Sequence, residues 1–281
     1  MPNPAERAAL IEAVRDTARV EILPRFRNLD AAEVMTKGRS DDLVTVADRA
    51  AEAMLTRAAG RILPGTAVVG EEAVAEDASI LSRIADAERC VIIDPIDGTG
   101  NFVAGLATFG VILAVVERGQ TVFGLLYDPA MDDWIAGAPG QGAWYGRPGA
   151  ADRPLQCRRC PSPADAAGFV SPRMYPSTKR GGLFEAFSGF GYARGIGCSC
   201  HDYRTIAFGQ ADFAASPMMN PWDHAAGVLI VTEAGGAARV AFEAEYSPYL
   251  TEGPLAVVGD PDLLAPVEAA LQAAPPTRSD R

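Results

Sequence analysis

Residues 91–102 read Val91-Ile-Ile-Asp-Pro-Ile-Asp-Gly-Thr-Gly-Asn-Phe102. The apolar residues that open this stretch predict a buried strand, which ends at Asp94, and Pro95 turns the chain so that Asp97 follows three residues later. Two converging carboxylates repel each other unless a cation lies between them. Because Mg²⁺ prefers oxygen ligands, this pair predicts a magnesium site.

Gly98 and Thr99 follow the carboxylate pair and predict the start of a helix. Backbone N–H groups at a helix start, together with the helix dipole, favour an anion such as phosphate. A magnesium ion and a phosphate group would therefore meet here. Taken alone, the segment is also compatible with an ordinary Asp-Gly turn that leaves Asp94 at the surface.

Two further acidic segments lie on either side of this one. Gly70-Glu71-Glu72 follows a short apolar run, and by itself it is typical of a solvated loop. Later in the chain, the residues from Pro221 to Gly236 predict a helix that begins near Asp223 and ends at a glycine pair. Asp223 fits two roles there, the N-cap of the helix and a metal ligand, and one carboxylate can serve as both.

A further carboxylate stands near the start of a helix that we predict from Thr45 to about Arg61. It belongs to the segment Asp42-Leu-Val-Thr-Val-Ala-Asp48. Thr45 and Asp48 have the spacing of a capping box, which is a purely structural role. Asp48 also shares a helix face with the apolar residues three and seven positions later, so we expect its side chain to point inward.

The whole chain has 281 residues, of which 48% are hydrophobic, and a formal charge of -11. It can bury a sizeable core, as one large domain or as two closely packed halves. The negative charge argues against a nucleic acid or an anionic membrane as the main partner. Because no apolar run approaches the roughly 18 residues that cross a bilayer and no basic-then-apolar leader opens the chain, we expect a soluble, cytoplasmic protein.

The order of the predicted elements indicates two halves. An opening amphipathic helix over residues 5–26, followed by strands that include a hairpin of 109–116 with 121–127, predicts an α+β half over residues 1–148. Beyond a stretch rich in Pro, Arg and Gly, alternating strands and helices predict an α/β half over residues 149–281. We expect the two halves to form one compact unit.

The five cysteines favour reduced thiols over a disulfide scaffold, since their number is odd and the chain shows no export signal. The pairs Cys157/Cys160 and Cys198/Cys200, the second followed by His201, leave a zinc site as an alternative. The second pair lacks the usual two-residue spacer and the two pairs lie far apart, so packed thiols are the favoured interpretation.

Taken together, the acidic segments resemble the inositol monophosphatase family of lithium-sensitive, magnesium-dependent phosphatases. The family pattern is a Gly-Glu-Glu turn, then Asp-Pro-Ile/Val-Asp-Gly-Thr, and much later Trp-Asp-x-Ala-Ala-Gly. Here it is matched by Glu71, by Asp94 to Thr99 and by Trp222 to Gly227. The resemblance implies a layered αβαβα fold of the α/β class, a homodimer, and an active site between the two halves that hydrolyses a small phosphate monoester.

The same resemblance implies which residues hold magnesium. Glu71, Asp94 and the backbone carbonyl of Ile96 would bind one Mg²⁺, while Asp94, Asp97 and Asp223 would bind a second. Glu71 would also contact a weaker third ion through water. The family therefore implies two or three magnesium ions in each site.

Catalytic roles would fall to Asp48, Thr99 and Glu71. By resemblance, a water molecule oriented by Thr99 and Asp48 attacks phosphorus in line, while the metals activate that water and stabilise the departing alkoxide. No Ser, Cys or His nucleophile is then required. The residues implied to bind the phosphate and the alcohol are Gly98, Thr99, Cys198, Ser199 and Asp223.

The alcohol part of the substrate is less constrained. Inositol 1-phosphate is the first candidate and histidinol phosphate the next, ahead of fructose 1,6-bisphosphate and a 3′-phosphoadenosine nucleotide. Many family members bind inositol hydroxyls with a Glu seven residues before the Trp-Asp aspartate, where this chain has Ser216, a weaker hydrogen-bonding group. Gly100 is a second departure from the family pattern, in which Thr or Ala is common at this position.

A function of another class also remains open. Some bacterial relatives resemble regulators of transcription antitermination, which would act by binding a protein partner. The complete set of carboxylates in this chain favours catalysis over that role.

Overall fold

The computed structural model describes residues 1–36, 43–240 and 244–274. Asp42, the first residue of the segment that leads to Asp48, lies outside the described residues. The helices of the described ranges are, in chain order, α1 (Pro4–Thr17), α2 (Val46–Ile62), α3 (Glu71–Glu76), α4 (Arg83–Asp86), α5 (Thr99–Val103), α6 (Arg180–Ala186), α7 (Ser199–Ala207), α8 (Pro221–Glu233) and α9 (Leu264–Ala273).

The strands of the same ranges form two large sheets and one two-stranded ribbon. In chain order they are β1 (Val34–Thr36), β2 (Leu43–Thr45), β3 (Ala67–Gly70), β4 (Arg89–Asp97), β5 (Gly110–Glu117), β6 (Gln120–Asp128), β7 (Asp133–Ala138), β8 (Gly142–Gly146), β9 (Arg153–Leu155), β10 (Ala167–Val170), β11 (Tyr192–Arg194), β12 (Phe213–Ser216), β13 (Ala237–Val240) and β14 (Leu255–Val258).

The first large sheet has the strand order β3-β4-β5-β6-β7-β8-β9. Only the β3/β4 pair is parallel, and the predicted hairpin is confirmed as the antiparallel pair β5/β6. Strand β9 pairs with β8, so this sheet continues past residue 148, where the sequence placed the boundary between the halves. The second sheet, in the order β11-β10-β12-β14-β13, begins at Ala167.

Helices α1 and α2 cover one face of the first sheet. Leu10 and Val14 of α1 and Leu55 of α2 pack in one buried cluster with Val91 and Ile93 of β4. The helix predicted over residues 5–26 is shorter than expected, because the α-helix ends at Thr17. A wider π-helical turn and a short 3₁₀ turn carry the chain onward to Arg25.

Helices α7 and α8 lie between the two sheets, on the other face of the first one. Ile92 of β4 and Ile230 of α8 share a buried cluster with Val257 of the second sheet. Because both faces of β4 are covered, its apolar residues run continuously rather than alternating with polar ones. Helix α8 comes very close to β6, since a Cβ on Gly124 would lie 2.8 Å from the carbonyl oxygen of Ala226.

Helices α6 and α9 close the outer face of the second sheet. Leu183 of α6 and Leu271 of α9 pack in a third cluster with Phe213 and Val258 of that sheet. The order of layers is therefore helix, sheet, helix, sheet, helix, which confirms the αβαβα architecture implied by the resemblance. In the parts of the chain described here, none of the helices is both long and apolar enough to span a bilayer.

Candidate metal centre and active site

A β-bulge at the end of β4 brings two of the predicted carboxylates together. Side chains three positions apart in a regular strand point to opposite faces, because the pleat has a period of two. Between Asp94 and Asp97 the register with β5 shifts, since Asp94 lies opposite Ile112 and Asp97 opposite Gly110. The extra residue reverses the alternation, so both carboxylates can face the same side.

Asp94, Asp97 and Asp223 form a compact cluster. One oxygen of each carboxylate lies within 4.8 Å of one oxygen of each of the others. All three residues are buried: Asp94 is 2% exposed, Asp97 7% and Asp223 9%. Burial and the neighbouring carboxylates raise the pKa of Asp94 and of Asp223 well above the usual range. Burial also raises the pKa of Asp97. Three buried acids without a cation are unfavourable, so the cluster fits a site for a metal ion.

The donor set fits a hard cation such as Mg²⁺. All of the cluster side chains offer carboxylate oxygens, and the charge of Glu71 adds to the repulsion at both Asp94 and Asp223. The backbone carbonyl of Ile96, the remaining predicted ligand, accepts a hydrogen bond of 3.0 Å from the Thr99 hydroxyl. Oxygen ligands of this kind are typical of magnesium and calcium rather than zinc.

Asp223 reaches the cluster from α8, which belongs to the layer between the two sheets. The helix starts at Pro221 with Asn220 as its N-cap residue, so the interpretation of Asp223 as the N-cap is wrong. Instead, the side-chain amide of Asn220 donates a hydrogen bond of 3.0 Å to the Asp223 carboxylate. That contact orients one carboxylate oxygen of Asp223 toward the loop before the helix.

Glu71 is positioned by a residue that the sequence reasoning missed. Glu71 is the first residue of α3, and the carboxylate of Glu52 accepts hydrogen bonds from the backbone N–H groups of Glu72 (2.8 Å) and Ala73 (3.0 Å). A Cβ on Gly70 would lie 2.2 Å from the carboxyl carbon of Glu52, so this approach requires glycine. The solvated-loop interpretation of this segment is therefore wrong.

Asp48 combines the two roles that the sequence left open. Its Oδ2 accepts hydrogen bonds from the backbone N–H (2.8 Å) and the hydroxyl (2.6 Å) of Thr45, which confirms the capping box. Its Oδ1 lies 3.3 Å from the hydroxyl oxygen of Thr99. The side chain is completely buried, as its helix face predicted. The structure therefore brings Asp48 and Thr99 together.

The predicted helix start after the carboxylate pair is confirmed, because α5 begins at Thr99. Gly98 is its N-cap residue and has a φ of +84°, a left-handed conformation that favours glycine. Arg173, which the sequence pattern did not indicate as a site residue, also lies here. A Cβ on Gly100 would be 3.0 Å from one of its guanidinium nitrogens. The departure at Gly100 thus makes room for an arginine beside the helix start.

Cys198 and Cys200 connect the start of α7 to the aspartate cluster. The Cys198 thiol donates to Asp97 at 3.0 Å, and the backbone N–H of Cys200 donates to the same carboxylate oxygen. Cys198 and Ser199 also line a cavity of about 1020 Å³ into which the cluster opens, together with Gly98 and Thr99. The structure thus gathers every residue that the resemblance implied for phosphate and alcohol binding at one cavity.

The zinc alternative is not supported. All five cysteines are buried and free. Over residues 1–36, 43–240 and 244–274, the only group of three or more His, Cys, Asp or Glu side chains close enough together to hold a metal is the aspartate cluster, which contains no cysteine. The thiols of Cys157 and Cys160 face the carbonyl oxygens of Val231 and Ser162. Packed thiols are therefore the correct interpretation of this pair.

His224, beside Asp223, takes no part in the cluster. Its Nδ1 lies 2.7 Å from the Tyr203 hydroxyl and its Nε2 lies 3.2 Å from the carbonyl oxygen of Met218. Since a carbonyl can only accept, Nε2 carries the proton and Nδ1 accepts from the tyrosine. Burial lowers the pKa of this imidazole to about 4, so it stays neutral at physiological pH.

Comparisons with known proteins agree with this architecture. The model of the inositol monophosphatase family matches residues 5–268. A protein of Thermotoga maritima called fructose-1,6-bisphosphatase/inositol-1-monophosphatase is 32% identical over 200 residues, which cover 69% of this chain and 70% of that one. The Nus factor SuhB of Escherichia coli strain K12 is 32% identical over 216 residues, which cover 76% of this chain and 78% of that protein.

A solved structure shows the same fold over nearly the whole length. The inositol monophosphatase of Thermotoga maritima superposes with a TM-score of 0.79 at 25% identity and covers 94% of this chain and 95% of its own. The match over residues 5–268 and the identity with curated relatives show the family directly. The chain belongs to the inositol monophosphatase family and is a phosphatase.

Proposed function

We propose that this protein hydrolyses the phosphate monoester of a small alcohol and that magnesium is its metal. The observation that carries the proposal is the buried cluster of Asp94, Asp97 and Asp223 beside the start of α5. Three acids held within 4.8 Å of one another have little structural purpose without a cation. When bound, Mg²⁺ would lower the pKa of a water molecule and neutralise charge on the phosphate.

The metal ligands are assigned as the resemblance to the family implies, and the cluster of Asp94, Asp97 and Asp223 supports this assignment. We assign Glu71, Asp94 and the carbonyl of Ile96 to one ion, and Asp94, Asp97 and Asp223 to another. Glu71 would also serve a third ion through water. This donor set consists of oxygens alone, as magnesium requires.

Thr99 and Asp48 would orient the attacking water. Oδ2 of Asp48 already accepts two hydrogen bonds from Thr45, so Oδ1 is the oxygen that faces Thr99. In this arrangement the water donates a proton toward the Thr99 hydroxyl, which in turn donates to Oδ1 of Asp48. Glu71 would complete the catalytic set through the ions that it holds.

Phosphate and alcohol would occupy the adjoining cavity. The backbone N–H groups of Gly98 and Thr99 lie at the start of α5, where an anion is stabilised. Arg173 lines the same cavity and adds positive charge beside Gly100. The alcohol would contact Cys198, Ser199 and Asp223.

Inositol 1-phosphate is the first candidate substrate, because the Thermotoga relative carries an inositol-1-monophosphatase name. Ser216 reduces the case for inositol. Its hydroxyl donates 2.7 Å to the carbonyl oxygen of Met218, so it is engaged within the protein. Histidinol phosphate is the next candidate, followed by fructose 1,6-bisphosphate and a 3′-phosphoadenosine nucleotide.

The experiment that tests this function is phosphate release from these four substrates in Mg²⁺, in EDTA and in Mg²⁺ with Li⁺. We expect release that requires magnesium, is inhibited by lithium and is fastest for one substrate. Release that persists in EDTA would contradict the metal assignment. Indifference to tens of millimolar lithium would contradict a mechanism shared with the lithium-sensitive members.

A second candidate function is supported by the Escherichia coli relative, whose name is that of a Nus factor. A protein acting this way would bind a transcription partner independently of catalysis. A pull-down with the Asp97→Asn variant separates the two ideas. Recovery of transcription factors by this variant would favour the binding role, and we expect none.

Assembly and location complete the proposal. We propose a homodimer that works in the cytoplasm, a compartment in which free, buried thiols are stable. Sedimentation equilibrium should give about twice the 29.5 kDa mass of the chain. A single species of monomer mass at micromolar concentration would contradict the dimer.

A further inference from the structure

The large cavity has an apolar side that the proposed mechanism does not use. The aspartate cluster and the start of α5 are built on strand β4 and on α8. Apolar residues of the second sheet and of the segments joined to it also line this cavity. We give the name apolar wall to Val170, Met174, Pro176, Met218, Pro254 and Leu271. With about 1020 Å³, the cavity matches the largest small-molecule sites, which reach roughly 1,000 Å³, so it has room for more than a phosphate group.

The apolar wall is continuous because its residues meet around the end of β12. Val170, the last residue of β10, pairs with Ala215 of β12. The sulfur of Met174 lies 3.5 Å from the hydroxyl oxygen of Ser216, the last residue of β12. Leu271 of α9 packs in the same buried cluster as Val170 and Ala215. Residues that are distant in the sequence thus form one surface at this edge of the second sheet.

Met218 is held by its backbone while its side chain remains open to the cavity. Its carbonyl oxygen accepts hydrogen bonds from the Ser216 hydroxyl (2.7 Å) and from Nε2 of His224 (3.2 Å). The single proton of the Ser216 hydroxyl is therefore used within the protein. The Met218 residue is 38% exposed and lines the cavity. Since methionine is flexible and adapts to the shape of a bound group, it suits a binding surface for apolar ligands.

A short 3₁₀ turn, Pro172–Met174, connects the apolar wall to the start of α5. The guanidinium of Arg173 lies beside Gly100, because a Cβ on that glycine would be 3.0 Å from one of its nitrogens. The next residue, Met174, contacts the end of β12 instead. Consecutive residues therefore place a positive charge at the proposed phosphate site and an apolar side chain on the wall. This arrangement matches a ligand with an anionic head and an apolar body.

The polar residues nearest to the apolar wall in the sequence do not oppose such a ligand. Glu252 and Gln272 line the same cavity, and both are exposed. Water can therefore solvate these side chains while a ligand covers the wall. A polar rim around an apolar surface is the usual composition of a small-molecule site.

We infer that the apolar wall binds the hydrocarbon body of the alcohol, so that the protein accepts phosphate monoesters of apolar alcohols. The inference rests on the proposed phosphatase function and names a further substrate class for the same site. Such an ester would place its phosphate beside the start of α5 and Arg173, and its hydrocarbon body along Met174 and Met218. Removal of apolar surface from water stabilises this complex without a further hydrogen-bond donor.

The test measures the binding of phosphonates, whose C–P bond is not hydrolysed, so it does not depend on turnover. The probes are ethylphosphonate and hexylphosphonate, which share one anionic group and differ only in the length of the hydrocarbon chain. Full burial of one methylene corresponds to about fourfold in affinity. Calorimetry in Mg²⁺ should therefore show that hexylphosphonate binds at least about tenfold tighter than ethylphosphonate.

Glutamine substitutions in the apolar wall should remove this preference, because glutamine is polar and similar in length to methionine. The double variant Met174→Gln, Met218→Gln should reduce the affinity ratio of the two probes to less than about threefold. Thermal unfolding shows whether the variant is folded. If it is not, Met218→Gln alone, at a half-exposed residue, should lower the ratio by at least about twofold.

Met131→Gln is the matched control, since it makes the same change outside the cavity. Met131 lies in the turn between β6 and β7 and is 70% exposed, so this variant should keep the full ratio. The inference is overturned if the wild-type ratio is below about threefold, if the glutamine variants of the wall keep the wild-type ratio, or if Met131→Gln lowers it equally. Absence of phosphate release from every substrate, with the effect of chain length intact, would instead count against the proposed function.

Discussion

The hydroxyl oxygen of Thr99 lies 3.3 Å from Oδ1 of Asp48 and thereby connects the start of α5 to the capped end of α2. The same hydroxyl lies 3.0 Å from the carbonyl oxygen of Ile96. A hydroxyl has one proton, so it can donate to only one of these acceptors at a time. Movement of this proton between the two acceptors is what would let Thr99 take part in proton transfer.

Thr99→Val should therefore reduce kcat by about 10²–10⁴-fold, the usual contribution of positioned proton transfer. Valine keeps the shape of threonine, so α5 should remain intact. The measurement is kcat at saturating Mg²⁺, with Thr99→Ser as the control that restores the hydroxyl. Retention of more than a tenth of wild-type activity by the valine variant would show that the hydroxyl is not required.

Asp97→Asn should abolish magnesium-dependent turnover with little loss of stability. The amide keeps one oxygen that can accept from Cys198 and Cys200, so the start of α7 should stay in place. It loses the negative charge that a second metal ion needs. Phosphate release and thermal unfolding measured together test this, and full activity in the variant would exclude Asp97 as a ligand.

Gly70→Ala should destabilise the protein by about 2–4 kcal/mol, since charge-assisted hydrogen bonds contribute about 1.5–3 kcal/mol each. The new Cβ would displace the Glu52 carboxylate, which caps α3 through Glu72 and Ala73. Because Glu71 starts this helix, Mg²⁺ affinity should also decrease. Urea unfolding and a magnesium titration provide the measurements.

Gly60→Ala is the matched control for that substitution. Gly60 lies inside α2, and nothing lies within 4 Å of the position that its Cβ would occupy. Alanine in a helix interior should stabilise by about 0.5–1 kcal/mol. Equal effects of the two substitutions would rule out the close approach of Glu52 as the cause.

The stability of the metal-free protein should decrease as pH rises. The pKa values of Asp94, Asp97 and Asp223 are raised by burial above the unfolded value of about 3.9. Groups shifted upward stabilise the fold while protonated and lose that contribution as pH increases through their folded pKa. In EDTA, Tm should therefore be lower at about pH 8 than at about pH 5.

Magnesium should reverse this trend, because it compensates the charge that the protons no longer neutralise. At a concentration of 100 times Kd, binding stabilises by about 2.7 kcal/mol, which corresponds to several degrees in Tm. The magnesium-induced increase in Tm should be larger at about pH 8 than at about pH 5. The opposite order would mean that protons and magnesium do not compete for this cluster.

Much of the architecture could be predicted from local patterns. The hairpin of β5 and β6 and helix α2 follow from hydrophobic periodicity and turn residues, which act over a few positions. The carboxylate motifs and their order identified the family. Element ends were less predictable, since α1 changes to a π-helical turn after Thr17 without a local breaker there.

The sequence alone determined which carboxylates belong to the candidate site, because Asp94, Asp97 and Asp223 stand in motifs that can be read locally. Only the tertiary structure decided how they meet: a bulge reverses the alternation between Asp94 and Asp97, and packing of α8 on β6 adds Asp223. The supporting residues Glu52 and Arg173 carry no motif of their own. Their roles depend on long-range contacts and burial, which no local pattern of residues records.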